Sequence, residues 1–146
     1  MPVGLASLFV AASRQAKIAT TFDFGFALGP RINAAGRLAD MTLGIECLLT
    51  DDGARAAELA AQLDAINRER RVVEGGMREL AERMLQTFAA PDGSGDAAAV
   101  PSAVTLFDES FHEGVVGIVA GRVKDRLHRP TFVLSLIHIS EPTRPY

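Results

Sequence analysis

The 146-residue sequence predicts a mostly helical chain that leads into the start of an α/β domain. A series of residues between positions 59 and 88, apolar except for Arg70, recurs at steps of four and three, which is the spacing of one long amphipathic helix. The pattern over residues 103–133 then changes to strand, helix and strand, the order of a parallel βαβ unit. A composition of 48% apolar and 23% charged residues is typical of a folded globular chain.

The N-terminal third predicts short elements. Apolar residues at helical spacing predict a first helix that ends near residues 14–17. Alternation of phenylalanine with smaller or polar residues over 22–26 predicts an extended, half-buried connector up to Gly29 and Pro30. We expect residues 30–37 to form a loop and residues 43–49 a second short helix.

The central helix is the best-marked element. Its acid-before-base pairs one turn apart indicate a solvated face, and the adjacent Gly75 and Gly76 make a bend plausible there. Proline, glycine and small residues over 89–102 indicate a linker. Beyond it we expect a strand at 103–107, a helix at 115–128 and a second strand from Thr131.

Residues 30–37 hold the first candidate site. Arg31 and Arg37 with Asn33 between small residues could bind a phosphate, because a guanidinium holds an anion with two parallel hydrogen bonds. The alternative is structural: Asn33 caps a turn, and the arginines pair with Asp40 or Glu46. The pattern alone leaves both interpretations open.

The second candidate is His112, which precedes a helix whose glycines at 114, 117 and 121 share a face. A histidine at a helix N-terminus suits an anion. The structural alternative is that His112 caps the turn and the glycines serve helix packing. His128, at the end of that helix, fits a structural role beside the negative end of the helix dipole.

The sequence lacks the motifs of several common catalytic and cofactor-binding sites. The sequence has no Walker-type phosphate loop, dinucleotide fingerprint or HExxH motif, and its single cysteine, Cys47, lies among apolar residues, as a buried small side chain would. A complete catalytic centre is therefore not visible, and no adjacent histidines or aspartates have the spacing of metal ligands. Without a long apolar run or a signal-like N-terminus, we expect a cytoplasmic protein that does not bind membranes.

Three blocks, in order, resemble the single-strand-specific DNA exonucleases of the DHH/DHHA1 phosphoesterase family. They are FALGPRINAAGRL at 26–38, LDAINRERR at 63–71, and FHEGVVGIVAGR at 111–122, the last followed by His128, Arg129 and Pro130. The similarity runs from near Gly4 to Val133. Phe111 stands where many members have tryptophan.

The resemblance implies an α/β family fold of which this chain is an interior fragment. It implies a metal-dependent nuclease that digests single-stranded DNA from 5′ to 3′ in DNA repair and recombination, with Mn²⁺ or Mg²⁺ held by ligands outside this chain. This chain alone is then an inactive fragment. The implied domains are the end of the DHH catalytic domain (1–50), a connecting helix (51–90), a linker (91–102) and the truncated beginning of DHHA1 (103–133).

In that enzyme, Arg31, Asn33 and Arg37 line the cleft between domains and bind DNA phosphates, and His112 is a further phosphate-binding candidate. Single-strand binding protein and a helicase are its candidate partners. Two alternatives stay open. One is a smaller DHH/DHHA1 phosphoesterase that acts on short oligonucleotides or cyclic dinucleotides, and the other is a non-catalytic helical linker or interaction module.

The last residues differ in character. Residues 134–146 resemble the in-frame translation of a sequencing adapter, so we expect them not to belong to the natural protein and to have no packed role. For that reason His138 is excluded from any site.

Overall fold

The fold is seen in a computed structural model that describes residues 1–88 and 101–140. The chain divides into two compact units, Met1–Arg71 and Val72–Tyr146, which we describe separately. The expected linker falls almost wholly outside the described residues, as does the end of the tail. No helix in the described ranges is long and apolar enough to cross a membrane.

The first unit is helical throughout. Its helices are α1 (Val3–Ala11), α2 (Thr21–Asp23), α3 (Gly29–Leu38), α4 (Thr42–Leu49) and the first part of α5 (Gly53–Phe88). A 3₁₀ turn at Ala16–Ile18 and a π-helical segment at Phe24–Leu28 complete it. The predicted long helix is confirmed as α5, whose 36 residues continue without a break through Gly75 and Gly76.

Two predictions for the segment before α4 were wrong. The phenylalanine segment is helical rather than extended, since Thr20 and Asp23 form a capping box that starts α2, and the π-helical segment follows directly. The hydrogen bonds from the Thr20 backbone N–H and hydroxyl hold the pKa of Asp23 below its ordinary value.

The expected loop at residues 30–37 is helix α3. Pro30 lies in its first turn, where a missing N–H costs no hydrogen bond. The preceding Gly29 adopts helical angles, φ −50° and ψ −46°, which glycine reaches before proline more readily because it has no Cβ to crowd the ring.

The core of the first unit lies between α5 and the shorter helices. Its buried members include Leu8 and Phe9 of α1, Cys47 of α4, and Leu59 and Leu63 of α5. Burial raises the pKa of the Cys47 thiol, in agreement with the expected apolar setting. Helices α1 and α4 approach closely at Gly4, where a Cβ would overlap the backbone carbonyl of Cys47.

The second unit contains the predicted parallel pair. Strand β1 (Val104–Phe107) pairs in parallel with β2 (Thr131–Leu134), so that Leu106 lies opposite Val133. Helix α6 (Val116–Leu127) connects them and buries Val116, Val119 and Val123. His128 ends α6 in the left-handed conformation at φ 53°, the structural role expected of it.

The tail continues this unit further than expected. Leu134 is the last residue of β2, Ser135 is buried, and a short helix α7 (Ile137–Ser140) follows. The ring Nδ1 of His138 accepts a hydrogen bond from the backbone N–H of Ser135 at 3.1 Å. Leu134 thus belongs to β2 and α7 contacts that strand, so the expectation that the tail has no packed role was wrong for these residues.

Two glycine-to-alanine substitutions should have opposite effects on stability. Gly4→Ala forces α1 and α4 apart and should lower the free energy of unfolding by about 1–3 kcal/mol or more. Gly75→Ala adds a methyl group with no described atom within 4 Å and should raise it by about 1 kcal/mol through helix propensity. Urea denaturation measures both, and equal effects would contradict the α1–α4 packing.

Candidate nucleic-acid interface

Helix α3 separates the three candidate residues of the first unit onto different faces. Asn33 and Arg37 are four positions apart and share a face, whereas Arg31 lies roughly 120–160° around the helix from them. Burial follows this geometry, since Asn33 and Arg37 are exposed and Arg31 is largely buried. The structure therefore does not place the three side chains in a single cluster on α3.

The guanidinium of Arg31 faces α5. Its Nε donates to Oδ1 of Asp64 at 2.9 Å, and its Nη2 lies 2.8 Å from the same oxygen. Its Nη1 donates to the backbone carbonyl of Ala27 at 2.6 Å. The side chains of Arg31 and Asp64 are only 12% and 16% exposed, so this ion pair links α3 to α5 with little screening by water.

Asp64 also forms an ion pair with a second arginine, Arg68. Its other oxygen, Oδ2, lies 3.0 Å from Nη2 of Arg68, one turn further along α5, whose side chain is 70% exposed. We refer to Arg31, Asp64 and Arg68 as the Asp64 cluster. Two guanidiniums and one carboxylate leave this cluster with a net positive charge. Asn67, between them in sequence, is buried and accepts hydrogen bonds from Arg70, so its role is structural.

The structural alternative predicted an ion pair for Arg31 with Asp40 or Glu46. Arg31 does form an ion pair, but its partner is Asp64. Asp40 accepts a hydrogen bond from the backbone N–H of Thr42, which lowers the pKa of Asp40. Glu46 binds Arg55 through both carboxylate oxygens, and those hydrogen bonds lower the pKa of Glu46. Asn33 lies inside α3 and does not cap a turn. Sequence spacing gave no signal for Asp64, because it is 33 residues from Arg31.

His112 belongs to the second unit and lies in the turn before α6. The backbone N–H of Gly114 donates to its Nδ1 at 3.0 Å, so His112 caps this turn, as the structural alternative proposed. A ring that accepts at Nδ1 has its proton on Nε2, and that N–H is then the donor with which it could bind an anion. The glycine packing of the structural alternative is not seen at Gly117 or Gly121, because a Cβ at either position would have no neighbour within 4 Å.

A metal site is not expected in this chain. The described residues, 1–88 and 101–140, include no group of three His, Cys, Asp or Glu side chains that could hold an ion. Four carboxylates of the first unit are engaged instead: Asp64 and Glu46 pair with arginines, and Asp23 and Asp40 accept backbone N–H bonds. This donor set does not fit a divalent cation.

Comparison with known proteins gives a consistent relationship. No family model matches the chain. The single-stranded-DNA-specific exonuclease RecJ of Escherichia coli (strain K12) is 40% identical over 132 residues, which is 90% of this chain and 22% of the relative. RecJ of Haemophilus influenzae is 38% identical over 133 residues, 91% of this chain and 22% of the relative. The chain thus spans about a fifth of the length of the curated relatives it matches.

The chain is also similar to solved structures of RecJ. A crystal structure of exonuclease RecJ bound to manganese matches with a TM-score of 0.73 and 34% identity, over 92% of this chain and 31% of that one. RecJ from Thermus thermophilus in complex with Mg²⁺ matches with a TM-score of 0.72 and 34% identity, over 92% of this chain and 19% of that one.

Arg31→Ala should lower the free energy of unfolding by about 1–3 kcal/mol, because it leaves a largely buried carboxylate with one exposed partner. Arg31→Lys should recover only part of this loss, since an ammonium cannot reproduce the contacts of Nε, Nη1 and Nη2 together. Chemical denaturation measures the difference. Arg68→Ala, which removes the exposed partner, is the control and should change stability by less than about 0.5 kcal/mol. Equal losses in the Arg31 and Arg68 variants would contradict the burial of the Arg31–Asp64 pair.

Proposed function

The chain belongs to the RecJ family of single-stranded-DNA-specific exonucleases, and from this premise we propose that it forms an interior segment of such an enzyme. The enzyme hydrolyses phosphodiester bonds of single-stranded DNA from the 5′ end, in DNA repair and recombination in the cytoplasm. In this proposal residues 1–50 are the end of the catalytic domain and residues 51–90 form the connecting helix. Residues 91–102 are the linker, and residues 103–133 are the beginning of the DHHA1 domain. Homology along nine-tenths of the chain is the observation that carries the proposal.

We propose that α3 binds the DNA backbone. Asn33 and Arg37 share its exposed face, and together they offer an amide and a guanidinium to phosphate oxygens. Such contacts position single-stranded DNA without reading its bases, as a nuclease that digests any sequence requires. Arg31 lies on the opposite side of α3, where it is bonded to Asp64 and Ala27. A phosphate contact by Arg31 uses its two remaining N–H groups and is separate from the exposed face of Asn33 and Arg37.

We propose His112 as a separate phosphate contact in the second unit. Its bond from Gly114 fixes the tautomer, so that Nε2 carries the proton and can donate to a phosphate oxygen. The hydrogen bond thus makes the capping and binding interpretations of His112 compatible. We place it with the residues that contact phosphate and not with those that move a proton.

The metal chemistry of the enzyme belongs to residues outside those described. RecJ structures have been solved with manganese and with Mg²⁺, and a divalent metal activates water for attack on a phosphodiester. The described carboxylates do not form such a site. Single-stranded DNA is the proposed substrate, and single-strand binding protein and a helicase are proposed partners.

Two other functions compete with this proposal. A smaller DHH/DHHA1 phosphoesterase would act on short oligonucleotides or cyclic dinucleotides, and a non-catalytic module would bind only other proteins. The names of the curated relatives favour the exonuclease, and the 36-residue α5 fits its connecting helix. Oligonucleotide binding that grows with length and ignores sequence would separate the exonuclease from both.

The 146-residue chain should not degrade single-stranded DNA when Mn²⁺ or Mg²⁺ is added, because its described residues include no group that could position the ion. A 5′-labelled oligonucleotide incubated with the purified chain and resolved on a denaturing gel measures this. Degradation that follows the protein through purification and stops with a chelator would contradict the assignment of catalysis to other residues.

Arg37→Ala should weaken binding of the chain to oligo(dT) and flatten its salt dependence by about 0.7 in the slope of log K against log salt, which corresponds to one phosphate contact. Fluorescence anisotropy over a salt series without metal gives the slope. Arg78→Ala removes an equal charge from an exposed position in the second unit and is the matched control. Identical slopes for the two variants would leave α3 without a phosphate contact and contradict the proposed interface.

A further inference from the structure

The Asp64 cluster contains two residues that the sequence pattern did not assign to any site. We propose that Asp64 is a positioning residue of the DNA interface and that Arg68 is a further phosphate-binding residue. This inference rests on the proposed function. It goes beyond it by extending the interface from α3 to α5 and by giving a carboxylate a role in binding an anion.

The first observation is that the two carboxylate oxygens of Asp64 contact different arginines. Oδ1 of Asp64 takes Nε and Nη2 of Arg31, and Oδ2 takes Nη2 of Arg68. Each oxygen therefore fixes one guanidinium, and the carboxylate sets the separation of the two. A single carboxylate in this arrangement orients two cations without neutralising both, so the cluster remains attractive to phosphate.

The second observation is that both arginines keep N–H donors that their described contacts do not use. Of the five N–H groups of a guanidinium, Arg31 uses three in its bonds to Asp64 and Ala27. The one contact described for Arg68 engages a single terminal nitrogen, and its side chain is 70% exposed. Arg68 thus has the donors and the access that a bidentate phosphate contact needs.

The burial of Asp64 is the third observation. An exposed i, i+4 pair is normally loose and contributes little, but Asp64 is only 16% exposed and is held from the other side by Arg31. Its carboxylate therefore cannot follow Arg68 into solvent. Arg68 is tethered to a fixed point, which reduces the side-chain entropy that it loses when it binds a phosphate.

Asp64→Asn separates positioning from bulk electrostatics by the sign of its effect. Removal of a negative charge beside two arginines strengthens DNA binding if charge alone matters. If Asp64 positions the arginines, affinity of the 146-residue chain for oligo(dT) should instead fall about tenfold, with a salt slope lower by at least about 0.7. Glu69→Gln removes an exposed carboxylate from the same helix and is the matched control.

Arg68→Ala tests the second half of the inference in a variant that keeps the Arg31–Asp64 pair and hence the fold. It should weaken oligo(dT) binding about tenfold and lower the slope by about 0.7, while Arg78→Ala should not. Circular dichroism of every variant establishes that it is folded; if Asp64→Asn is not, the Arg68 comparison decides alone.

The outcomes distinguish this inference from the proposed function. If Arg37→Ala weakens binding but Asp64→Asn matches Glu69→Gln and Arg68→Ala matches Arg78→Ala, the inference is wrong and the α3 interface stands. If the unmodified chain does not bind oligo(dT) at low salt, the interface itself is wrong. Weaker binding by both cluster variants, against unchanged controls, supports the inference.

Discussion

The contact between Arg31 and Asp64 is the constraint on which the candidate interface depends. It ties α3 to α5 through a largely buried ion pair, and such a pair fixes geometry more reliably than it adds net stability. The guanidinium also donates to the Ala27 carbonyl one turn earlier in the chain, which holds the Arg31 side chain in one orientation toward α5. The face that carries Asn33 and Arg37 is directed outward as a result.

Close packing elsewhere in the first unit supports this arrangement. Helices α1 and α4 meet at Gly4 with no room for a side chain, and Cys47 lies buried beside that contact. Leu59 and Leu63 of α5 belong to the same core and precede Asp64 on that helix. The ion pair is thus added to a helix that is already held by apolar contacts, so its charges need not supply the energy that assembles the unit.

The sequence predicts best the elements whose pattern is long or regular. The apolar repeat of α5 and the order of β1, α6 and β2 are both confirmed, because each rests on local periodicity. The phenylalanine segment and residues 30–37 depart from their local pattern. Phe22 and Phe26 alternate like a strand, but their rings stack with centroids 4.5 Å apart on a helical segment and remain exposed. Pro30 has the pattern of a break, although it lies in the first turn of a helix.

Candidate residues for the site could be named from the sequence, but their arrangement could not. The spacing of arginine and asparagine at 31–37 indicated phosphate chemistry, but the same spacing on a helix divides them between two faces. Asp64 could not be found from spacing, because a tertiary partner 33 residues away leaves no local pattern. The contact of His112 is local by comparison, because the backbone N–H of Gly114, two residues away, donates to its ring. This cap is one of the two alternatives that the sequence left open.

The most direct measurement of the Arg31–Asp64 constraint is a ¹⁵N-resolved spectrum of the arginine side chains of the 146-residue chain, recorded during a titration with oligo(dT) in the absence of metal. We expect a slowly exchanging Nε–H of Arg31 before DNA is added, and shifts of Arg31, Arg37 and Arg68 on binding. The constraint and the interface are contradicted if the Arg31 Nε–H exchanges as fast as that of Arg14, whose side chain is 58% exposed, and if DNA shifts none of the three.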